Sequence, residues 1–330
     1  MKVTDHAVFR RFWYPVMPLT KLVDGPQAFV LLQQPLALWL NEAGDPQAVE
    51  DRCCHRTAKL SLGQVQGDAI QCPYHGWQFD GSGTCVKVPQ LESGPIPKSY
   101  RVKSFACQAR YGYVWVCLES PPLQPIPDIP EARDPGFRQI HEFDEVWKAS
   151  GLRIMENSFD NAHFSYVHAG TLGSIDSPTP ASVEVFDHPE GLRVETLIPV
   201  LNPPEQQRNL GLSDPVTLRQ TERFWHQPFF YRVRITYPNG LVHVMVTTTT
   251  PIDERHSQFI QFVYRSDREE DAPATGIIAF DRRVTLEDQQ VLELTDPDAP
   301  LSIDGEEHMV SDKTSIMMRR KLAALIKSDA

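Results

Sequence analysis

Two short stretches of the 330-residue chain each bring a thiol and an imidazole together. Cys53-Cys54-His55 has the form C-x-H and Cys72-Pro73-Tyr74-His75 the form C-x-x-H, with sixteen residues between His55 and Cys72. Each places one sulfur and one nitrogen donor at the tip of a loop, so two such loops side by side offer two of each. One zinc ion accepts that ligand count, but zinc fingers pair Cys with Cys and His with His, whereas here each loop carries one of each. A two-iron cluster with both cysteines on one iron and both histidines on the other needs this mixture. Cys85, Cys107 and Cys117 lie in apolar strand contexts and read as buried thiols.

A second constellation lies in Asn157-Ser158-Phe159-Asp160-Asn161-Ala162-His163-Phe164-Ser165-Tyr166-Val167-His168, which contains D-x-x-H-x₄-H. Mononuclear non-haem iron(II) takes two histidines and one carboxylate on one face and keeps positions open for O₂ and substrate. In an ideal helix His163 and His168 lie roughly 140° apart around the axis, so both reach one metal only if the helix loosens or ends between them. The third ligand must be a carboxylate further along, and Thr285-Leu286-Glu287-Asp288-Gln289-Gln290-Val291-Leu292-Glu293 is the best place for it. With residues 277–294 as a helix, the apolar centre is set by Ile277, Phe280, Val284 and Val291. Asp288 falls roughly 40° from that centre, and Glu287 and Asp281 roughly 60°. A carboxylate so close to a buried stripe is costly unless it is paired or bound to a metal. The geometry favours Asp288 and leaves its two neighbours open.

The elements that must carry these residues differ along the chain. To about residue 120 the sequence reads as short β-strands, with Phe29–Leu32, Leu36–Leu40 and Tyr113–Leu118 as clear cases and Asp80-Gly81-Ser82-Gly83 as a turn. Five prolines in residues 121–130 form a stiff linker, which divides the chain into expected domains 1–120 and 121–330. Beyond it, Ala149–Phe164, 274–295 and 311–327 read as helices. Residues 182–201, 221–237, 241–251 and 257–265 read as strands, with Tyr237-Pro238-Asn239-Gly240 as a hairpin turn. The class is α+β with an antiparallel sheet.

Composition narrows the function. With 32 Lys+Arg against 43 Asp+Glu the net charge is −11, which repels phosphate backbones and argues against nucleic acid as a partner. No apolar run approaches the length of a membrane span, and the N-terminus lacks the apolar core of a secretory signal, so the expected location is the cytoplasm. Six cysteines are too sparse for a disulfide scaffold.

Cys53-Cys54-His55-Arg56 and Cys72-Pro73-Tyr74-His75-Gly76-Trp77 resemble the cluster loops of Rieske proteins of the oxygenase type, and residues 157–168 resemble the iron-binding helix of Rieske non-haem iron oxygenases. The likeness runs from Phe12-Trp13-Tyr14-Pro15 through Arg110-Tyr111-Gly112-Tyr113-Val114-Trp115 to Thr250-Pro251-Ile252-Asp253. In length and layout it is nearest to vanillate and dicamba demethylases and the saxitoxin-pathway oxygenases. It implies an all-β Rieske domain, then a helix-grip catalytic domain with an antiparallel sheet. Cys53, His55, Cys72 and His75 would hold the [2Fe–2S] cluster, and His163, His168 and Asp288 the Fe(II), the family's acidic pair followed by x-x-V-x-E pointing to the same aspartate. Asn157 is expected near the iron. Asp160 would bridge subunits of a ring-shaped homotrimer, bonded to a neighbour's His75 and its own His163. An alternative use for Asp160 is the capping of local N–H groups.

The implied activity is that of a terminal oxygenase: O₂-dependent hydroxylation or oxidative demethylation of a small organic molecule. The chain has no G-x-G-x-x-G after a strand to bind NADH, so a ferredoxin or an NAD(P)H-dependent reductase supplies the electrons. Competing readings are a pheophorbide- or chlorophyllide-type oxygenase, a Rieske electron-transfer protein, and a zinc-stabilised helix-grip binding module. The family usually has Pro where this chain has Cys54. If Cys54 is a spacer, Cys54→Pro and Cys54→Ser both keep the visible bands of the cluster. Loss of those bands in Cys54→Ser would make the thiol a ligand.

Overall fold

Strand-length apolar runs punctuated by turns build the first part of the chain into two sheets. The computed structural model describes residues 2–174, 179–296 and 300–329. The strands are Tyr14–Pro18 (β1), Gln27–Leu31 (β2), Gln34–Leu40 (β3), Pro46–Glu50 (β4), Gln64–Gln66 (β5), Ala69–Gln71 (β6), Gln78–Phe79 (β7), Cys85–Lys87 (β8), Ser104–Arg110 (β9) and Tyr113–Cys117 (β10). Six form a sheet in the order β1-β10-β9-β4-β3-β2, and β5-β6-β7-β8 form a smaller one. At the Asp80 turn, one carboxylate oxygen accepts from the N–H groups of Ser82 and Thr84 at 2.9 and 3.1 Å. Trp39, Leu60, Ile70 and Phe79 are buried together with Cys53, Cys72 and Trp77, so both cysteine loops are rooted in one core.

The chain passes into a second compact unit at Ile126–Pro127, within the proline-rich stretch. This unit takes in Met1–His6, Pro127–Thr249 and Glu254–Ala330, and the first keeps Ala7–Ile126 with Thr250–Asp253. Its elements are Arg138–Trp147 (β11), Gly151–Phe159 (α1), Phe164–Val167 (α2), Ser182–His188 (β12), Gly191–Leu201 (β13), Pro204–Leu210 (α3), Val216–His226 (β14), Phe230–Thr236 (β15), Val242–Pro251 (β16), Ser257–Arg265 (β17), Ala274–Leu292 (α4) and Lys313–Asp329 (α5). The seven strands form one sheet, ordered β11-β17-β16-β15-β14-β13-β12. Ile277 of α4 packs with Ile140 and Val263, and Leu292 with Trp147, Ile154 and Phe259, so the long helix lies against β11 and β17. The architecture is the expected one, an all-β first unit and an α+β unit in which an antiparallel sheet carries a long helix. Among the described residues no helix is long and apolar enough to cross a membrane.

Several elements differ from the sequence reading, each for a local reason. The helix expected over Ala149–Phe164 ends at Phe159, because Asp160 is extended and a separate single turn follows over Phe164–Val167. The runs 182–201 and 221–237 are each two strands, folded back at Pro189-Glu190 and at Gln227-Pro228-Phe229. The ten-residue β11 and the short α3 have no counterpart in that reading. Val291, counted in the apolar centre of α4, is 45% exposed, and the buried stripe runs instead through Ile277, Phe280, Asp281, Thr285 and Leu292.

β14 inverts the usual alternation. Val216 and Leu218 face solvent, while Thr217, Arg219, Thr221 and Arg223 are buried. That polar inner face shows that the sheet encloses something other than a dry core.

The C-terminal helix holds α1 through charge. Arg319, 2% exposed, forms a two-pronged pair with Glu156 of α1, its Nη2 lying 2.9 Å from Oε2, and meets Glu306 at 2.7 Å. Arg153 completes the network with Glu306 at 2.5 Å. Removing one partner of a buried pair leaves the other charge uncompensated. Arg319→Leu should therefore lower the unfolding free energy by about 3 kcal/mol in urea titration, against less than about 0.5 kcal/mol for Arg268→Ala, whose pair with Glu270 is exposed.

Candidate active site

The two cysteine loops are built alike. The Cys53 N–H donates to the Ala58 carbonyl at 2.8 Å and the Thr57 N–H to the Cys53 carbonyl at 3.0 Å. In the second loop the Cys72 N–H donates to Trp77 at 2.7 Å and the Gly76 N–H to Cys72 at 3.1 Å, so the same five-residue closure recurs. The fourth residue after each cysteine takes a left-handed backbone, with φ of 61° at Thr57 and 75° at Gly76. Glycine suits that conformation and threonine does not, so the first loop holds its shape against a local cost.

Aromatic rings fix the imidazoles. His55 stacks on Trp77 at 4.6 Å between centroids and 3° between planes, Trp77 stacks on Tyr100, and the His55 and His75 rings lie 4.6 Å apart. Both Nδ1 atoms are buried without a hydrogen-bond partner. Burial, with Cys72 opposite, pushes the Cys53 thiol up to about 12, a preference for the neutral thiol that a bound cation reverses. Cys54 is exposed, Cys85 and Cys117 are buried, and Cys107 is half-buried.

The second constellation converges. Among the described residues, only His163, His168 and Asp288 bring three candidate ligand atoms within 4.8 Å of one another. The Asp288 Oδ1 lies 3.5 Å from His163 Nε2 and 3.2 Å from His168 Nε2. Local backbone chemistry makes this possible. Asp160 stops α1, and its Oδ1 accepts from the Ala162 N–H at 2.7 Å, turning the chain before His163. The histidines then flank the single turn of α2 instead of sharing one regular helix. Gly173 closes over that turn, its N–H donating to the His168 carbonyl at 2.9 Å, where a Cβ would lie 1.8 Å from the Phe164 carbonyl oxygen.

Asp160 does more than cap. Its Oδ2 lies 3.5 Å from His163 Nδ1. Burial works against its ionisation, but His163 and the Ala162 N–H outweigh that and hold the carboxyl below its ordinary range. His163 Nδ1 and Nε2 are buried with no hydrogen-bond partner of proper geometry. Asn157 donates from Nδ2 to Asp288 Oδ1 at 3.0 Å, which fixes that carboxylate.

Glu287 occupies a different position from the one weighed for it as a ligand. Its Oε2 sits 2.8 Å from His168 Nδ1, on the side of the ring away from Asp288, and its Oε1 accepts from Thr171 Oγ1 at 2.7 Å. It sets the tautomer that leaves His168 Nε2 free. Burial alone would hold the His168 imidazole down, whereas Asp288 and Glu287 together push it up. Asp281, the remaining candidate, lies two turns away on α4. The roles of Thr171 and Gly173 depend on the turn that follows His168.

A cavity of about 160 Å³ has His163, His168 and Asp288 in its wall. Apolar side chains, among them Ile198, Val233, Met245 and Phe280, supply much of the rest. Of Phe224, Trp225, Phe229, Phe230 and Tyr231, only Tyr231 lines it, while Trp225, Phe229 and Phe230 are buried elsewhere.

Comparison with known proteins places these features in one family. Residues 12–106 match the Rieske [2Fe–2S] domain and residues 147–328 the vanillate O-demethylase oxygenase C-terminal domain. A methylxanthine N1-demethylase of Pseudomonas putida is 33% identical over 97% of this chain and 90% of its own length. A methylxanthine N3-demethylase of the same organism is 30% identical, over 96% and 89%. The solved structure of Pseudomonas putida CBB5 NdmA with caffeine superposes with a TM-score of 0.85 at 31% identity, covering 98% of this chain and 92% of that one. With a Rieske domain and an oxygenase domain both present, the chain belongs to the Rieske non-haem iron oxygenases, as a terminal oxygenase with a [2Fe–2S] cluster and a mononuclear iron.

Proposed function

We propose that this oxygenase removes a methyl group from nitrogen or oxygen on a small ring substrate. In this reading His163, His168 and Asp288 hold the iron, and Cys53, His55, Cys72 and His75 hold the cluster. The observation that carries it is the convergence of two histidines and one carboxylate on the wall of a mostly apolar cavity. The two relatives that match nearly the whole chain are named as N-demethylases, which favours a methyl group as the target. The bound metals supply reductive activation of O₂, with electrons delivered singly from a ferredoxin or reductase.

The chain's own residues do the positioning. Glu287 fixes the His168 ring and Asn157 the Asp288 carboxylate, so the ligand set is organised before metal arrives. The apolar wall keeps water from the reacting methyl group. One oxygen atom enters its C–H bond, the other leaves as water, and the resulting hemiaminal or hemiacetal collapses to formaldehyde and the demethylated product. Asp160, with Oδ1 engaged locally, keeps Oδ2 for His163 and for the partner subunit's His75 across a trimer interface. The protein works in the cytoplasm, which suits six free cysteines.

With a matched reductase, O₂ uptake and formaldehyde release should rise together when a methylated ring substrate is added. Uptake that yields a ring-hydroxylated product and no formaldehyde would replace demethylation by hydroxylation. Asp288→Ala should lose mononuclear iron and keep the visible spectrum of the cluster, and Glu287→Ala should weaken iron binding roughly tenfold to a hundredfold. Iron content near wild type in Asp288→Ala would move the ligand assignment elsewhere. Asp160→Asn should keep both metals and the oligomer while single-turnover reduction of the iron slows sharply, because an amide offers one acceptor where a carboxylate offers two. Normal turnover in Asp160→Asn, or full activity in a monomer, would refute the bridge.

A further inference from the structure

α4 measures the cavity. Asp281 and Asp288 are seven residues apart, two helical turns on one face, so they stand about 10 Å from each other along the axis. Both line the cavity. Asp288 marks the metal end, and the other end is polar in an unusual way. His243 of β16 is 2% exposed, and neither ring nitrogen has a hydrogen-bond partner. Asp281 Oδ2 and Arg219 Nε, both on buried residues, are unpartnered as well. Buried polar groups are satisfied in most proteins, and leaving them bare is costly. Three such groups around one cavity wall therefore point to a ligand that satisfies them.

The same groups specify its chemistry. Burial and the charges of Arg265 and Arg219 hold the His243 ring well below its ordinary range, so it is neutral and offers one N–H donor and one nitrogen acceptor. Arg219 is anchored, with Nη2 donating to Asn202 Oδ1 at 2.7 Å and the guanidinium over the Tyr237 ring, and its Nε–H remains available. Asp281 faces Glu142; burial raises both carboxyls, Asp281 adds to the rise at Glu142, and Glu142, Arg265 and Arg219 work against it at Asp281. The carboxyl pair lies near Arg219, while Arg265 is paired with Asp267. The polar end is thus balanced. An anion placed there would meet the carboxyl pair, whereas a neutral group with an acceptor and a donor side by side would meet complementary partners.

We propose that His243, Asp281 and Arg219 select a neutral ring substrate bearing a carbonyl beside an N–H, a lactam or cyclic ureide, whose methyl group then lies at the Asp288 end. The proposal rests on the demethylase reading of the site, but its test is a binding measurement that requires no turnover.

The experiment is isothermal titration calorimetry on the full, cluster- and iron-loaded protein without reductase, using three bicyclic probes: N-methylquinazolinedione, methoxynaphthoate and methoxynaphthalene. The dione should bind at least about tenfold more tightly than either other probe. Tighter binding of the naphthoate would overturn the proposal in favour of an anion site, and equal binding of the naphthalene would show that the polar groups serve only water. His243→Leu should weaken dione binding roughly tenfold to a hundredfold and leave naphthalene binding unchanged or stronger, with partial recovery in His243→Asn. Dione affinity within about twofold of wild type in a folded His243→Leu would refute the assignment. Should His243→Leu not fold, Asp281→Asn, which exchanges an acceptor for a donor, is held to the same two thresholds. Absence of formaldehyde with every probe in a separate reductase-coupled assay would sink the demethylase reading alone and leave the calorimetry to decide this one.

Discussion

Asp288 must come within about 3.5 Å of two histidines more than a hundred residues earlier in the chain, and much of the second unit serves that approach. Two imidazoles and a carboxylate drawn together in a half-buried space are costly to desolvate unless they are paired or bound to a cation. The scaffold therefore has to hold them against their own tendency to relax. α4 is pinned to β11 and β17 by Ile277 and Leu292. α1, which delivers Asn157 and leads into His163, is pinned from the other side by the charged grip of Arg319 on Glu156. Distant residues thus act on the site through rigid elements and never touch it.

The chemistry is more legible in the sequence than the geometry that makes it work. Cysteine and histidine at fixed spacing, and D-x-x-H-x₄-H, are written in residue types that have few other uses in combination, so the ligand candidates can be named directly. The helical wheel favours Asp288 although it counts the exposed Val291, because Ile277 and Phe280 define the buried side of α4 well enough. What stays hidden depends on tertiary closure. That Asp160 ends a helix follows from its extended backbone, and Glu287 as a support for His168 requires knowing where the turn after His168 goes. β11 escapes the sequence reading because its mixture of Gln, His, Glu and Asp with aromatics does not look like a strand until one face is seen covered by α4.

The inverted alternation of β14 explains a second failure of pattern reading. Periodicity locates an inner face by assuming that it is apolar. In a strand that lines a ligand cavity the inner face can be the polar one, as with Arg219, Thr221 and Arg223, and the rule then reports the wrong side. An inversion of this kind is itself a clue to where a ligand sits.

With the cluster assigned to these loops as proposed, the twin closures at Cys53–Ala58 and Cys72–Trp77 bear on how readily it would give and take charge. Each loop is tied by main-chain bonds across its mouth, and the imidazole of the first is wedged against a stack of Trp77 and Tyr100. Such a frame resists displacement of the atoms it presents. A redox centre held in it would change shape little between oxidation states, so little nuclear rearrangement would accompany each electron. Low reorganisation energy permits fast transfer at a small driving force, and here it would arise from the hydrogen-bond closure of two short loops.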